Sequence, residues 1–267
     1  LFLIVYQRAL LMSVLPSFDL VGYGGLLRDL VSSGFNFRPI VDIGSCEAGD
    51  VFLRHDVDFS LELSLALAQV EFELGVSSCY YVLLSGPYNP CSASSINAMM
   101  RLRAMGHAIG LHYDLSLYPD QSVLARQRLD AEIRFLQEIS DGEVKTIVMH
   151  EPSRGQEDFF LDAAPYINPT HFQKTHHDLL YVSDSCRAWR DLSLLEFLDG
   201  RSEKSCLMLN VHPESWLAER PQHRLTYLER TLLPKVLEPT QRYFMESVRH
   251  SWQTHIGPVH GYGDSDA

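Results

Sequence analysis

The sequence predicts an α/β fold in which a parallel sheet closes, or nearly closes, into a barrel. Three observations carry this expectation. Short apolar runs of strand length alternate with amphipathic helical stretches along most of the chain, the pattern of strand–helix–strand units with right-handed crossovers. About six or seven such units can be counted, which suits a barrel better than a small open sheet. The 267 residues are enough for one large domain with a sizeable core, and an α/β barrel uses this length as a single unit. Periodicity alone also accommodates a doubly wound open sheet.

Taken in order, Val51–Val57 reads as a strand. Ser60 stands where a helix N-cap is expected, and Leu61, Leu65, Ala68 and Phe72 then fall on one helical face that ends at Gly75. Cys79–Leu84 is strand-like, Ser94–Met105 is helical and stops at Gly106, and His107–Tyr113 is the next strand. Asp120 is placed to cap a long helix with Leu129, Ile133 and Leu136 facing inward, ending near Gly142. Thr146–Met149, Leu179–Val182 and Cys206–Val211 complete the strands. Residues 222–250 form a long amphipathic helix with expected interruptions at Pro234 and Pro239. The expected organisation is a lead-in tail over 1–15, one domain over 16–252 and a C-terminal tail over 253–267.

Composition narrows the function. A formal net charge of -12 argues against nucleic acid or an anionic membrane as the main partner, since both need clustered Lys and Arg. The five cysteines, Cys46, Cys79, Cys91, Cys186 and Cys206, are odd in number and form no CxxC pair. A disulfide framework or zinc knuckle is therefore not expected, and a reducing compartment is. The apolar start Leu1–Tyr6 is broken by Gln7 and Arg8, too short to span a bilayer and without the charged flank and small-residue cleavage site of a signal peptide. A soluble cytoplasmic protein is the expectation.

Polar residues gather at the C-terminal ends of the predicted strands, where parallel sheets and barrels bind ligands. In Leu53-Arg54-His55-Asp56-Val57-Asp58 the strand alternation turns Arg54, Asp56 and Asp58 to one face. Two carboxylates on one face repel unless a cation separates them or one is protonated; a divalent metal on one, with the other as base, resolves the conflict. A solvated strand end that caps the next helix is the plainer alternative. His112, in Gly106–Asp114, ends a strand and offers an imidazole to a borderline metal such as zinc. His107 starts that strand and is expected to be structural. His150 ends the next strand and could complete a ligand set. Asp184, in Tyr181–Ser185, could orient a catalytic partner. Trp189 could stack on a sugar or simply pack in the core. His212, in Leu209–Pro213, is the best-placed general acid.

These five segments, in this order over residues 45–216, resemble the NodB-like polysaccharide deacetylases (carbohydrate esterase family four), and more closely a bacterial branch with an HDVD first motif and a GLHYD second motif. The resemblance implies a distorted (β/α)7 barrel. It implies that Asp56 is the base, that Asp58 and His112 are metal ligands, and that His212 is the acid. Two positions depart from the family pattern. Where the family has a second metal histidine this chain has Ser116, leaving the third ligand to His150 or Asp114, of which imidazole His150 suits zinc better. Where the family has an arginine against the base this chain has Glu151, a role Arg54 can take. The implied function is a metal-dependent hydrolase, with zinc as the expected cofactor, that removes an acyl group from an N-acylated sugar or related amide. Asp184 and Trp189 are the expected substrate-binding residues and a carbohydrate or N-acylated small molecule the expected partner. The alternative is a catalytically degenerate barrel that holds a glycan.

Overall fold

A computed structural model describes residues 15–152, 157–219 and 222–251. The expected tails over 1–15 and 253–267 thus lie outside the described residues, apart from Leu15. The chain divides into two compact units, Leu1–Gln222 and His223–Ala267.

In the first unit the order is α1 (Leu20–Ser32), β1 (Asn36–Phe37), β2 (Asp50–Val57), α2 (Leu61–Glu73), β3 (Cys79–Leu83), α3 (Ala93–Ala104), β4 (Ala108–Tyr113), α4 (Ser122–Ile139), β5 (Ile147–Met149), α5 (Pro169–Thr175), β6 (Leu179–Ser183), α6 (Ser193–Leu198) and β7 (Cys206–Val211). Every ladder is parallel. The strand order is β5-β4-β3-β2-β7-β6, with the short β1 on β2. The early strand β2 therefore lies between β3 and the last strand, β7, which is the cyclic order of a barrel with one seam left open between β5 and β6. A doubly wound sheet does not pair its ends in this way. The fold is a curled, distorted (β/α) barrel with helices flanking it.

Strand alternation sorts the core into three. Phe52, Cys79, Tyr81, Val148, Leu179, Cys206 and Met208 fill the barrel interior. Val51, Leu53, Leu207, Leu209 and Val211 pack outward against α1 and α6. Val57, Tyr80, Val82, Leu111 and Ile147 pack outward against α2, α3 and α4. The interior is tight at Gly110, where a Cβ would meet the Tyr81 ring at 2.4 Å. At the head of α2, Ser60 Oγ accepts from Leu63 N, as its position in the sequence suggests. The buried face of that helix, however, is Leu61, Ser64, Leu67, Ala68 and Glu71, and Phe72 is 54% exposed. The expected start of α4 also shifts: the helix begins at Ser122 after Gln121, with no side-chain cap, so Asp120 does not serve there. Leu129, Ile133 and Leu136 do face inward.

In the second unit, α7 (Arg224–Tyr227), a π segment over Leu228–Leu232, α8 (Leu233–Tyr243) and a π segment over Phe244–Val248 follow without a break. Pro234 closely follows the π segment, and the helix runs on through it and through Pro239. The expected interruptions are absent. No described helix is long and apolar enough to cross a membrane.

Candidate metal centre and acid–base site

The inward-facing residues of β2 rise through the barrel as Phe52, Arg54 and Asp56, and Asp58 follows at the strand's C-terminal end. Arg54 and Asp56 are buried. The Arg54 guanidinium lies over the rings of Tyr81 and Tyr181, 5.8 and 5.7 Å from their centroids, and Nη2 donates to Asp56 Oδ2 at 2.9 Å. Asn210, in register with Arg54 on β7, donates to the same oxygen at 2.9 Å. Burial favours the neutral acid, yet the facing Arg54 charge outweighs it and holds Asp56 below the usual carboxylate range. Asp56 Oδ1 is buried with no hydrogen-bond partner, which leaves its lone pairs open to a proton.

Three donor atoms meet at the mouth. His112 Nε2 is 3.5 Å from Asp58 Oδ1, His150 Nδ1 is 3.3 Å from that oxygen, and the two ring nitrogens are 3.2 Å apart. His112 Nδ1 faces the Val148 carbonyl at 3.1 Å, across the register pair that joins β4 to β5. That bond places the ring proton on Nδ1 and turns the Nε2 lone pair toward Asp58. A carboxylate oxygen and an imidazole lone pair then point at one spot, an arrangement that calls for a cation. Zinc bonded to N and O ligands at about 2.0–2.2 Å in tetrahedral geometry sets donor atoms roughly 3.3–3.6 Å apart, close to the triangle's sides of 3.2, 3.3 and 3.5 Å. The donor set therefore fits a divalent metal.

His212, just beyond β7, approaches from the opposite side, with Nε2 4.0 Å from Asp58 Oδ2. Its Nδ1 donates to Asp184 Oδ1 at 2.5 Å. Asp184 also accepts from the His212 backbone N–H at 3.0 Å and from Trp216 Nε1 at 2.7 Å. Burial opposes the imidazolium, but Asp184, with Asp56 and Asp58 beyond it, raises the His212 pKa well above its ordinary value. The ring is held with Nε2 toward the metal site and its protonated form favoured.

Comparison with known proteins gives distant likenesses to solved structures, all at TM-scores below 0.5. No family model and no curated protein sequence matches the chain. Among solved structures, a CE4 family pseudoenzyme from Bacillus anthracis matches at 14% identity and TM-score 0.42, covering 71% of this chain and 60% of that one. A peptidoglycan deacetylase from Bacillus subtilis matches at 11% and 0.40, covering 76% and 96%. A chitin deacetylase from the fungus Colletotrichum lindemuthianum matches at 15% and 0.37, covering 73% and 83%. The chain thus spans less than two thirds of the pseudoenzyme's length. At these identities and scores the likeness speaks to neither activity nor substrate, which the side chains must carry.

Of the residues singled out in the sequence, Arg54, Asp56, Asp58, His112, His150 and His212 converge, and Asp58, His112 and His150 form the cluster among the described residues that could hold a metal ion. Asp114 is not part of that cluster; its Oδ1 accepts from the backbone and hydroxyl of Ser116 at 3.0 and 2.6 Å, and Ser116 is exposed. Glu151 is exposed, 3.9 Å from His150 Nε2. Two expectations need correction. Asp184 is fully buried, so it serves His212 and cannot touch a substrate. Trp189 stacks on Phe18 at 5.5 Å, meets Trp216 edge-on and donates to the Pro16 carbonyl; it is a packing residue rather than a sugar platform. The sequence reading missed Asn210 and Tyr181, inward residues one turn of the alternation below the strand ends. It also missed Glu214, a buried carboxyl whose pKa burial, aided by Asp58, pushes up to about 8. Counting back by two from His212 would have found Asn210.

Proposed function

We propose that the chain is a metal-dependent hydrolase that removes an acyl group, acetyl in the simplest case, from an N-acylated sugar or related amide, in the manner of the HDVD branch of the polysaccharide deacetylases. The observation that carries the reading is the triangle of Asp58 Oδ1, His112 Nε2 and His150 Nδ1 with sides of 3.2–3.5 Å. Base and acid candidates stand beside it.

Asp58, His112 and His150 would hold the ion, with zinc as the first choice for two imidazoles and a carboxylate. A divalent ion there supplies a Lewis acid that eases deprotonation of water and polarises an amide carbonyl. Asp56 takes the proton of the attacking water at Oδ1, while Arg54 and Asn210 hold Oδ2 and keep the carboxylate ionised. His212 delivers a proton from Nε2 to the departing amine, and Asp184 holds Nδ1 so that the ring presents that edge. His150 supplies the donor that Ser116 does not, and Arg54 the charge that Glu151 does not. A reducing, cytoplasmic setting and a carbohydrate substrate belong to the same proposal.

Calorimetric titration with zinc, combined with acetate release from chitin oligomers, tests it. The full chain is expected to bind one zinc and to release acetate, and Asp58→Ala to lose both. A wild-type chain that takes up no zinc overturns the enzyme in favour of a glycan-holding barrel.

A further inference from the structure

The helix-facing side of β2 buries a second charged cluster that the chemistry above does not use. Glu71, on α2, has no exposed surface. Its Oε1 accepts from Tyr23 OH at 2.5 Å and Tyr80 OH at 3.1 Å, and its Oε2 accepts from Ser78 Oγ at 2.6 Å. His55 Nε2 lies 2.8 Å from Oε1, and His107 Nδ1 lies 3.4 Å from Oε2. One carboxylate thus gathers α1, α2, β2, β3 and the entry to β4. Three hydroxyl donors identify it as ionised, and the facing His55 outweighs burial to hold Glu71 below the usual carboxylate range.

His55 completes a bridge. Its Nδ1 faces the Val211 carbonyl at 3.1 Å and its Nε2 lies against Glu71 Oε1, so the ring links the β7 backbone to the buried carboxylate. The ring is also stacked on Tyr80, 4.3 Å between centroids. His55 and Val211 form the last registered pair of the β2–β7 ladder. Beyond it the chain leaves the sheet as a 3-10 turn over Pro213–Trp216. The next residue on one strand is Asp56 and on the other His212. The bridge therefore closes the seam at the point where the proposed base and acid diverge. A buried ion pair contributes little net stability against a hydrophobic replacement, so its value here lies in fixing one arrangement.

We propose that Glu71 and His55 are positioning residues for the reaction, setting the placement of His212 relative to Asp56 from behind the sheet. This rests on the acid–base reading of those two residues. The test uses Glu71→Gln, which keeps shape and removes charge, and Tyr23→Phe, which removes one donor to Glu71 and leaves the fold. Zinc affinity is expected to stay unchanged in both, because Asp58, His112 and His150 meet one another and not His55 or Glu71. The low-field proton of His212 Nδ1, seen by NMR in 15N-histidine-labelled protein, is expected to move in both, more in Glu71→Gln. The kcat for acetate release from chitin oligomers is expected to fall roughly 10- to 100-fold with KM unchanged, the scale of an ångström-level misplacement. A His212 proton that stays in place in both variants, whatever the loss of Tm, overturns the proposal and leaves the cluster as scaffold. Should Glu71→Gln not fold, Tyr23→Phe alone decides. A wild-type chain without acetate release counts against the hydrolase reading, while the His212 proton still judges the bridge.

Discussion

On the barrel side of β2, Arg54 and Asp56 form an ion pair that leaves Asp56 Oδ1 unmatched. On the helix side, one residue away, His55 lies against Glu71, whose carboxylate has both oxygens engaged by hydroxyl donors. Both carboxylates are buried, and each is held below its usual range, Asp56 by the facing Arg54 and Glu71 by the facing His55. The difference lies in saturation. A fully matched carboxylate can only hold neighbours in place, whereas one with an open, buried oxygen can accept a proton at little reorganisation. Satisfaction, rather than charge or depth, separates the reactive face of the strand from its supporting face.

The sharpest way to break this contrast is Asp56→Asn. The amide keeps shape and loses the proton acceptor, so acetate release from chitin oligomers should fall by about 10²–10⁴-fold while the zinc titration remains at one per chain. If the variant retains full turnover, the open oxygen has no chemical role and the two faces differ only in packing.

The supporting face should answer in stability. Glu71→Ala strips the shared buried partner from His55, Tyr23, Tyr80 and Ser78 and is expected to cost roughly 3–5 kcal/mol in urea unfolding. The pH dependence carries a sign. Glu71 has a folded pKa below its ordinary 4.5, so its contribution is fully present above that value and is lost as pH falls through the lowered one. Glu71→Gln should therefore unfold less steeply with acid than wild type, with no difference in slope near neutral pH. An unchanged acid limb would mean that folding does not lower the Glu71 pKa, against the pairing of Glu71 with His55.

How far these faces could be read without coordinates follows from the same alternation. Period two along Leu53–Asp58 turns Arg54, Asp56 and Asp58 together, and the strand ends at His112, His150 and His212 complete a set recognisable by type and spacing. The helix side was not legible. Phe72 looks like the inward residue of α2 by apolarity, but the helix turns Glu71 in and leaves Phe72 out, because the charged residue has partners waiting at Tyr23, His55, Ser78 and Tyr80. Those partners come from positions 48 residues back to 9 residues ahead of Glu71, too scattered for any local pattern to announce. Asp184 misled in the opposite way: its place after a strand suggested a ligand contact, and only the packing of Trp216 and His212 over it shows a group sealed from solvent.

The smallest effect is expected at Ser116, and it tests how the metal site differs from the pattern that the sequence resembles. The hydroxyl spends its hydrogen bond on Asp114 Oδ1 at 2.6 Å in a short 3-10 turn, Leu115–Leu117, that caps the end of β4. Its side chain is exposed, and the third donor already comes from β5. Ser116→Ala should therefore change unfolding free energy by no more than about 0.5 kcal/mol, as for a surface substitution, and leave zinc affinity where it was. His150→Ala, by contrast, removes one corner of the triangle. If Ser116→Ala weakened zinc binding and His150→Ala did not, the third donor would have to come from the β4 turn, and the open oxygen of Asp56 would face a differently built centre.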